Sequence, residues 1–130
     1  MKDGYFTPEE VNSLLPKITD KLKLLAETRS RLEREEKELR EAEVSSLIDY
    51  TRRKRKLNRT MADMYALIEE VEEYGCIIKD IDIFLVDFPA RMFDRDVWLC
   101  WKLGEPKVMF WHSKDEGFLS RRPLTYQPEP

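Results

Sequence analysis

The sequence predicts an α+β fold in which a long antiparallel helical hairpin packs on a small antiparallel sheet of three to four strands. Apolar residues recur every seven positions through roughly the first 75 residues, and after that the spacing changes to that of short strands. A length of 130 residues fits one domain. We therefore expect a helical hairpin at about 7–75, a β-meander with a C-terminal loop at about 76–124, and a disordered tail at 125–130.

The composition limits the classes of partner. The chain has 23 basic and 26 acidic residues, a formal net charge of -3, which gives no overall attraction to nucleic acid or anionic membranes. It has no apolar run approaching the roughly 18 residues of a membrane span. Cys76 and Cys100 lie in apolar stretches, so we expect reduced, buried thiols. We expect a cytoplasmic protein with no membrane partner.

The first helix has a clear start. Thr7 is suited to cap the free backbone amides, Pro8 fits the first helical position, and Glu10 completes a capping box. Phe6 and Val11 have the spacing of a hydrophobic staple.

A seven-residue repeat then predicts coiled-coil-like packing of this helix against a second one. The main apolar seam consists of Val11, Ile18, Leu25, Leu32 and Leu39. A companion seam is apolar only at its start, at Leu15 and Leu22. Pro16 lies inside the helix and predicts a kink.

A second amphipathic helix is expected to end at Gly75, which suits a C-terminal cap. Ser46 and Asp49 have the spacing of a new capping box, so we place a turn near 43–46. One continuous helix is the alternative. The hairpin is favoured because it would lay the acidic run at 33–41 beside the basic run at 52–59, and the lysines at 17–23 beside the glutamates at 69–73.

Three strands are predicted after the helices, at 81–88 with a stop at Pro89, at 97–103, and at 107–112, with a turn at Gly104. Residues 76–79 could add a fourth. Both faces of this sheet carry apolar residues, and a helical hairpin covers only one. The other face needs a partner, a ligand or the C-terminal segment. We predict a homodimer or higher oligomer, because this sheet face and the single apolar seam in the far half of the first helix both leave apolar surface to cover.

Several blocks of the sequence resemble an uncharacterised prokaryotic family, domain of unknown function 2203. The resemblance spans about 5–124. It rests on an N-terminal block, Phe6-Thr7 with Glu9-Glu10, Asn12 and Leu14-Leu15-Pro16, and on residues 78–80 and 85–89. The later blocks are Leu99-Cys100-Trp101, Leu103-Gly104-Glu105 and Trp111-His112 with Asp115, Gly117, Phe118, Arg121, Pro123 and Leu124. Phe84 and Ser120 depart from it, since glycine is expected at both positions. The resemblance implies no activity.

The loop that follows the last strand holds the candidate residues for chemistry. His112 with Asp87, Asp115 and Glu116 could bind a divalent metal or act as an acid–base pair, although the spacing matches no recognised ligand motif. The alternative is a structural histidine that hydrogen-bonds to a loop carbonyl or carboxylate.

An anion site is a second hypothesis for this loop. Arg121 and Arg122, with His112 and Lys79 nearby, could hold a phosphate or a carboxylate. The alternative is that an arginine pairs with a carboxylate of the chain and pins the loop. Cys100 as a nucleophile is disfavoured, because its position within a strand indicates packing.

A basic run is the candidate for nucleic-acid contact, and it consists of Arg52, Arg53, Lys54, Arg55, Lys56 and Arg59. The sequence favours a solvated charge lattice between the helices instead, because no aromatic platform is interleaved with the run.

The function that the sequence favours is a non-catalytic cytoplasmic protein-interaction module, with no cofactor predicted and catalysis the less favoured alternative. A small-ligand or metal site at 112–122 and a nucleic-acid contact at 52–59 remain as alternatives.

Overall fold

The computed structural model describes residues 4–126. It confirms the α+β fold, in which two packed helices precede one antiparallel sheet in the order β1-β2-β3-β4-β5. The sheet has five strands, more than the three to four predicted. The elements are α1 Pro8–Glu41, α2 Leu47–Glu72, β1 Ile77–Asp80, β2 Leu85–Met92, β3 Arg95–Lys102, β4 Phe110–Ser113, a 3-10 turn at Phe118–Ser120, and β5 Arg122–Pro123.

The start of α1 forms the predicted capping box. Thr7 Oγ1 accepts from the Glu10 amide at 3.2 Å, and Glu10 Oε1 accepts from the Thr7 amide at 3.0 Å. The preceding Phe6 amide donates to the Pro89 carbonyl at 2.8 Å, and the Phe6 ring lies edge-on to Phe88 with ring centroids 5.4 Å apart. The helix start is thereby fixed to the sheet.

The turn between the helices confirms the predicted hairpin and excludes one continuous helix. The first helix continues through Pro16 to Glu41, and Ser46 caps the second by accepting from the Asp49 amide at 3.1 Å. Gly75 has a φ of +104°, the left-handed conformation expected after a helix end.

Ion pairs between the helices form at the end of the hairpin near the sheet. Lys21 pairs with Glu70 at 3.1 Å, as the charge pattern predicts, and Arg31 pairs with Asp63 at 3.0 Å. Within residues 4–126, however, no ion pair within 4 Å joins the acidic run at 33–41 to the basic run at 52–59. The basic run is therefore left largely to solvent.

The first predicted strand was placed too early. Residues 81–84 form a turn because the Asp80 carboxylate accepts from the amides of Asp82 and Ile83 at 2.8 and 3.3 Å. The strand β2 then runs through Pro89. Proline is tolerated there because β1 pairs with β2 only as far as Asp87, so the missing amide hydrogen removes no bond to β1.

One face of the sheet packs on the hairpin. Val97, Leu99 and Trp101 of β3 are at most 1% exposed and join one core with the apolar seam of α1. Trp111 of β4, opposite Leu99 in the sheet, also lies in this core. At the second face of the sheet, Cys100 and His112 are buried, and the chain's own C-terminal segment contributes contacts over it.

The predicted disordered tail lies partly outside the described residues, at 127–130; Tyr126 is described, and its ring centroid is 6.3 Å from that of Trp111. Neither helix described here combines the length and the apolar character that crossing a bilayer requires.

Candidate functional site

A buried polar cluster occupies the centre of the second sheet face. Asp87 of β2 lies opposite Cys100 of β3, and His112 of β4 lies opposite Trp98 of β3. Residues directly opposite each other project to the same face of a sheet. Asp87, Cys100 and His112 are each at most 2% exposed, so this register brings a carboxyl, a thiol and an imidazole together away from solvent.

Both ring nitrogens of His112 are engaged. Nε2 lies 2.9 Å from Asp87 Oδ2, and Nδ1 lies 2.9 Å from the Ser113 carbonyl oxygen, which only accepts. Burial is the largest influence on the pKa of His112 and lowers it, but the hydrogen bonds to Asp87 and Ser113 and the Asp87 charge raise it above its usual range overall. Because the Ser113 carbonyl only accepts, Nδ1 carries a proton, and Nε2 is the nitrogen that faces the Asp87 carboxyl.

Cys100 completes the cluster. A ligand atom of each of the three side chains lies within 4.8 Å of the other two. Burial, followed by the nearby Asp87 charge and a weak hydrogen bond with the Asp87 carboxylate, raises the pKa of the Cys100 thiol well above its usual range. The Asp87 Oδ1 atom is buried and makes no hydrogen bond of normal geometry in the described chain. A buried carboxylate oxygen is rarely left without a partner.

Arg121 lies over the same sheet face but pairs with a different carboxylate, that of Glu105. Its Nη2 donates to both oxygens of Glu105, at 2.6 and 2.9 Å, and to the Cys100 carbonyl at 3.3 Å. The guanidinium carbon lies 4.0 Å from the ring centroid of Phe110 and 4.8 Å from that of Phe118. The arginine is thus fixed between two rings and an acid.

Arg122 closes the loop on itself through a second carboxylate. Its Nη1 and Nη2 donate to the two oxygens of Glu116, at 2.7 and 3.0 Å. The hydrogen bonds from Arg122 and Ser113 lower the pKa of Glu116 to about 2. Asp115 is exposed and lies outside the buried cluster. Of the four metal candidates from the sequence, the fold brings together His112 and Asp87 and leaves Asp115 and Glu116 apart.

Lys79 is separate from the two arginines. Its Nζ lies 4.5 Å from the ring centroid of Trp98, and the Nζ of Lys114 lies 3.4 Å from the same centroid. Burial lowers the pKa of Lys114, and the Lys79 charge adds to that effect. The predicted anion-binding set is therefore divided between two arginine–glutamate pairs and a lysine pair on one indole ring.

The basic run lies on the exposed surface of α2 beside the hairpin turn. Arg53 pairs with Asp49 of its own helix at 3.1 Å. The structure shows no ion pair for the other members within the described residues. Next to the run, Leu47 is 79% exposed and Ile48 is 64% exposed, and the sequence analysis did not single out either.

Sequence reasoning also missed Cys100 and Glu105 as members of these clusters. The proximity of Cys100 to Asp87 depends on the β2–β3 register, and the first strand was predicted four residues too early to give that register.

Comparisons with known proteins give one match. A family model described as "Uncharacterized conserved protein (DUF2203)" matches residues 4–124. No curated protein and no solved structure matches the chain.

Proposed function

Since the chain belongs to the uncharacterised conserved family DUF2203, we propose a function from its own geometry: a non-catalytic protein-interaction module that binds an acidic, amphipathic segment of a partner protein at the tip of its helical hairpin. The supporting observation is that exposed aliphatic side chains lie beside basic side chains that make no ion pair within the described chain.

The tip surface combines two kinds of side chain. We define it as Val44, Leu47, Ile48 and Tyr50, with the basic residues Arg52, Lys54, Arg55 and Lys56. The four apolar members are 42, 79, 64 and 43% exposed. On a helix, residues three or four apart share a face, so Ile48, Arg52 and Arg55 follow one stripe. This apolar patch flanked by cations is complementary to a partner helix that carries apolar side chains along one edge and acidic side chains along the other.

The exposed aliphatic residues favour a protein partner over a nucleic acid. Leu47 and Ile48, the most exposed members, gain from contact with apolar side chains and have no stacking surface for bases, and Tyr50 is the single ring in the tip surface. Phosphate contacts would use the arginines and lysines alone and would leave the most exposed apolar residues in water.

The acidic side of the same tip disfavours an anionic membrane. Glu38, Glu41 and Glu43 are exposed near the turn. A flat membrane surface would contact both sides of the tip and meet these charges, whereas a single peptide segment can lie along α2 alone.

The buried sheet cluster supports the absence of catalysis in this proposal. The Cys100 thiol has a raised pKa and is buried, both ring nitrogens of His112 are hydrogen-bonded, and Arg121 and Arg122 are each paired with a glutamate. A thiol nucleophile requires an exposed site that lowers its pKa.

The homo-oligomer and the cytoplasmic location stay predictions. Self-association was predicted partly because the second sheet face lacked a cover. The C-terminal segment of the same chain covers part of that face. A sedimentation experiment at micromolar concentration decides: a clean monomer contradicts the predicted oligomer.

The test of the tip surface uses a fluorescein-labelled synthetic helix with leucines on one face and glutamates beside them, and measures anisotropy. We expect Arg52→Glu with Arg55→Glu, and Leu47→Ser with Ile48→Ser, each to weaken binding at least about tenfold, equivalent to about 1.4 kcal/mol. Lys23→Glu, at an exposed position nearer the sheet, is the matched control and should bind like the wild type.

Three results would overturn the proposal. The first is that the acidic peptide does not bind. The second is that a peptide in which lysines replace the glutamates binds as tightly as the acidic peptide. The third is that the protein binds only single-stranded RNA or phosphatidylserine vesicles. Weaker binding at higher ionic strength is expected, because the basic residues contribute through screened charges.

A further inference from the structure

We propose that Asp87, Cys100 and His112 form a Zn²⁺ site that joins the three central strands β2, β3 and β4. The ligands would be a carboxylate oxygen of Asp87, the thiolate of Cys100 and Nε2 of His112. Each comes from a different strand, so a bound ion would cross-link the middle of the sheet. This inference is independent of the tip surface.

Asp87 provides the first argument. The residue is 1% exposed, yet its Oδ1 atom makes no hydrogen bond of normal geometry among residues 4–126, and the thiol of Cys100, a weak donor, is the group that interacts with this carboxylate besides His112. A purely structural aspartate–histidine pair in a sheet would be expected to satisfy both oxygens, since each unsatisfied buried group costs about 1–3 kcal/mol. A metal ion in the cluster would give this carboxylate a partner.

The orientation of His112 provides the second argument. The Ser113 carbonyl lies 2.9 Å from Nδ1, so it accepts a hydrogen bond there and leaves Nε2 as the nitrogen that faces Asp87 and Cys100. Metal-binding histidines are usually held in this way, with the second ring nitrogen donating to a carbonyl or a carboxylate.

Charge balance provides the third argument. A complex of one carboxylate, one thiolate and one neutral imidazole with the Zn²⁺ dication is neutral, and any proton held on the Cys100 thiol or on His112 Nε2 would leave to solvent on binding. A buried site tolerates this exchange because it creates no uncompensated charge.

The donor set selects the metal. Sulfur and nitrogen donors with one carboxylate suit Zn²⁺, whereas Mg²⁺ and Ca²⁺ take oxygen ligands. The three donor atoms lie within 4.8 Å of one another, and tetrahedral Zn²⁺ with ligands at about 2.0–2.3 Å needs separations of roughly 3.5 Å. His112 Nε2 and Asp87 Oδ2 are already 2.9 Å apart, so binding requires this pair to separate slightly and the Cys100 sulfur to approach it. A water molecule would supply the fourth ligand.

The test uses Co²⁺ as a spectroscopic substitute in protein purified without an affinity tag and stripped with a chelator. A thiolate ligand gives a near-ultraviolet charge-transfer band with Co²⁺, and Zn²⁺ should displace it. We expect the band in the wild type and in Cys76→Ser, and its loss in Cys100→Ser. Cys76 is the matched control, because it is also a buried free cysteine and lies outside the cluster.

Thermal unfolding gives a second measurement. Zn²⁺ should raise the unfolding temperature of the wild type and of Cys76→Ser, and should bind His112→Gln and Asp87→Asn at least about 100-fold more weakly. If Cys100→Ser does not fold, a band that persists in Cys76→Ser still identifies Cys100, because the chain has only two cysteines. Absence of the band in the wild type, or its loss in Cys76→Ser, would overturn the proposal.

Discussion

The Thr60 hydroxyl donates to Glu35 Oε1 across the two helices at 2.5 Å. Both residues are buried, at 4% and 7% exposure, and the sequence placed Glu35 in a solvated acidic run. Arg31 approaches the same oxygen at 3.7 Å, and Oε2 has no hydrogen-bond partner in the described residues. A polar contact between the helices therefore lies in the half of the hairpin away from the sheet. In this half α1 has only one apolar seam, because its companion seam is apolar only at the start of the helix.

This contact predicts an asymmetry between single and double variants. Thr60→Val should lower the free energy of unfolding by about 1–3 kcal/mol, because the Glu35 carboxyl stays buried without its donor. Glu35→Leu combined with Thr60→Val should lie within about 1 kcal/mol of the wild type or be more stable, since both polar groups are removed together. Urea denaturation measures both.

Thr28→Val is the control for these variants, because the half-buried Thr28 donates to the Leu24 carbonyl of its own helix in a solvent-exposed hydrogen bond. It should change the free energy of unfolding by less than about 0.5 kcal/mol. Equal destabilisation by the single Thr60 variant and the double variant would contradict the proposed role of the pair.

Arg121 should not tolerate replacement by lysine. Lysine cannot keep the flat contacts with Phe110 and Phe118 while donating to Glu105 and the Cys100 carbonyl. The Arg121 and Glu105 side chains are only 12% and 18% exposed, so the pair is little screened by solvent. We expect Arg121→Lys to lower the free energy of unfolding by about 2 kcal/mol.

Arg95→Lys is the matched control for Arg121, because Arg95 is exposed at the start of β3 and its change should stay within about 0.5 kcal/mol. Tryptophan fluorescence during guanidinium denaturation gives both values. A wild-type midpoint for Arg121→Lys would show that the guanidinium geometry contributes nothing to stability.

The helical half of the fold was predictable because its signals are local. The capping box at Thr7 and Glu10, the cap at Ser46 and the left-handed Gly75 depend on residues within three or four positions of each other. Contacts across the sheet have no such signal. The proximity of Asp87, Cys100 and His112 follows from the pairing register of three strands, which the sequence does not state.

The predicted strand boundaries were wrong where the chain turns through residues that rarely adopt a positive φ. The β2–β3 turn consists of Phe93 and Asp94, both with φ of 57°, a conformation that usually selects Asn-Gly. Phe84 likewise has a φ of 50°, at one of the two positions where the family resemblance calls for glycine. Ser120, the other one, lies in a 3-10 turn and is not among the residues with positive φ.

The Phe93-Asp94 turn predicts a stabilising substitution. Phe93 has a reason to remain, since its ring centroid is 5.3 Å from that of Trp111, but Asp94 is exposed and its left-handed backbone is strained for a residue with a Cβ. Asp94→Gly should raise the free energy of unfolding by about 0.5–1 kcal/mol. Its carbonyl would still accept from Arg91.

Asp96→Gly, two residues further along, is the control for Asp94. Asp96 lies in β3 and pairs with Arg91 at 3.0 Å, so glycine there should lower the free energy of unfolding. If Asp94→Gly and Asp96→Gly destabilised the protein equally, relief of backbone strain would be ruled out as the controlling effect.

The Glu116–Arg122 pair predicts a pH-dependent contribution to stability. The hydrogen bonds from Arg122 and Ser113 lower the pKa of Glu116 from 4.5 to about 2 in the folded state. A depressed folded-state pKa stabilises the protein above the unfolded value, so the contribution is complete above pH 4.5 and is lost as the pH falls towards about 2. Glu116→Gln should therefore lower the urea midpoint at neutral pH, and the difference between its midpoint and that of the wild type should disappear as the pH falls over this window.

Asp115→Asn, at the exposed neighbouring position, is the control and should keep a urea midpoint close to that of the wild type at neutral pH. A gap for Glu116→Gln that persists unchanged to pH 2 would mean that the charge of Glu116 does not hold the loop.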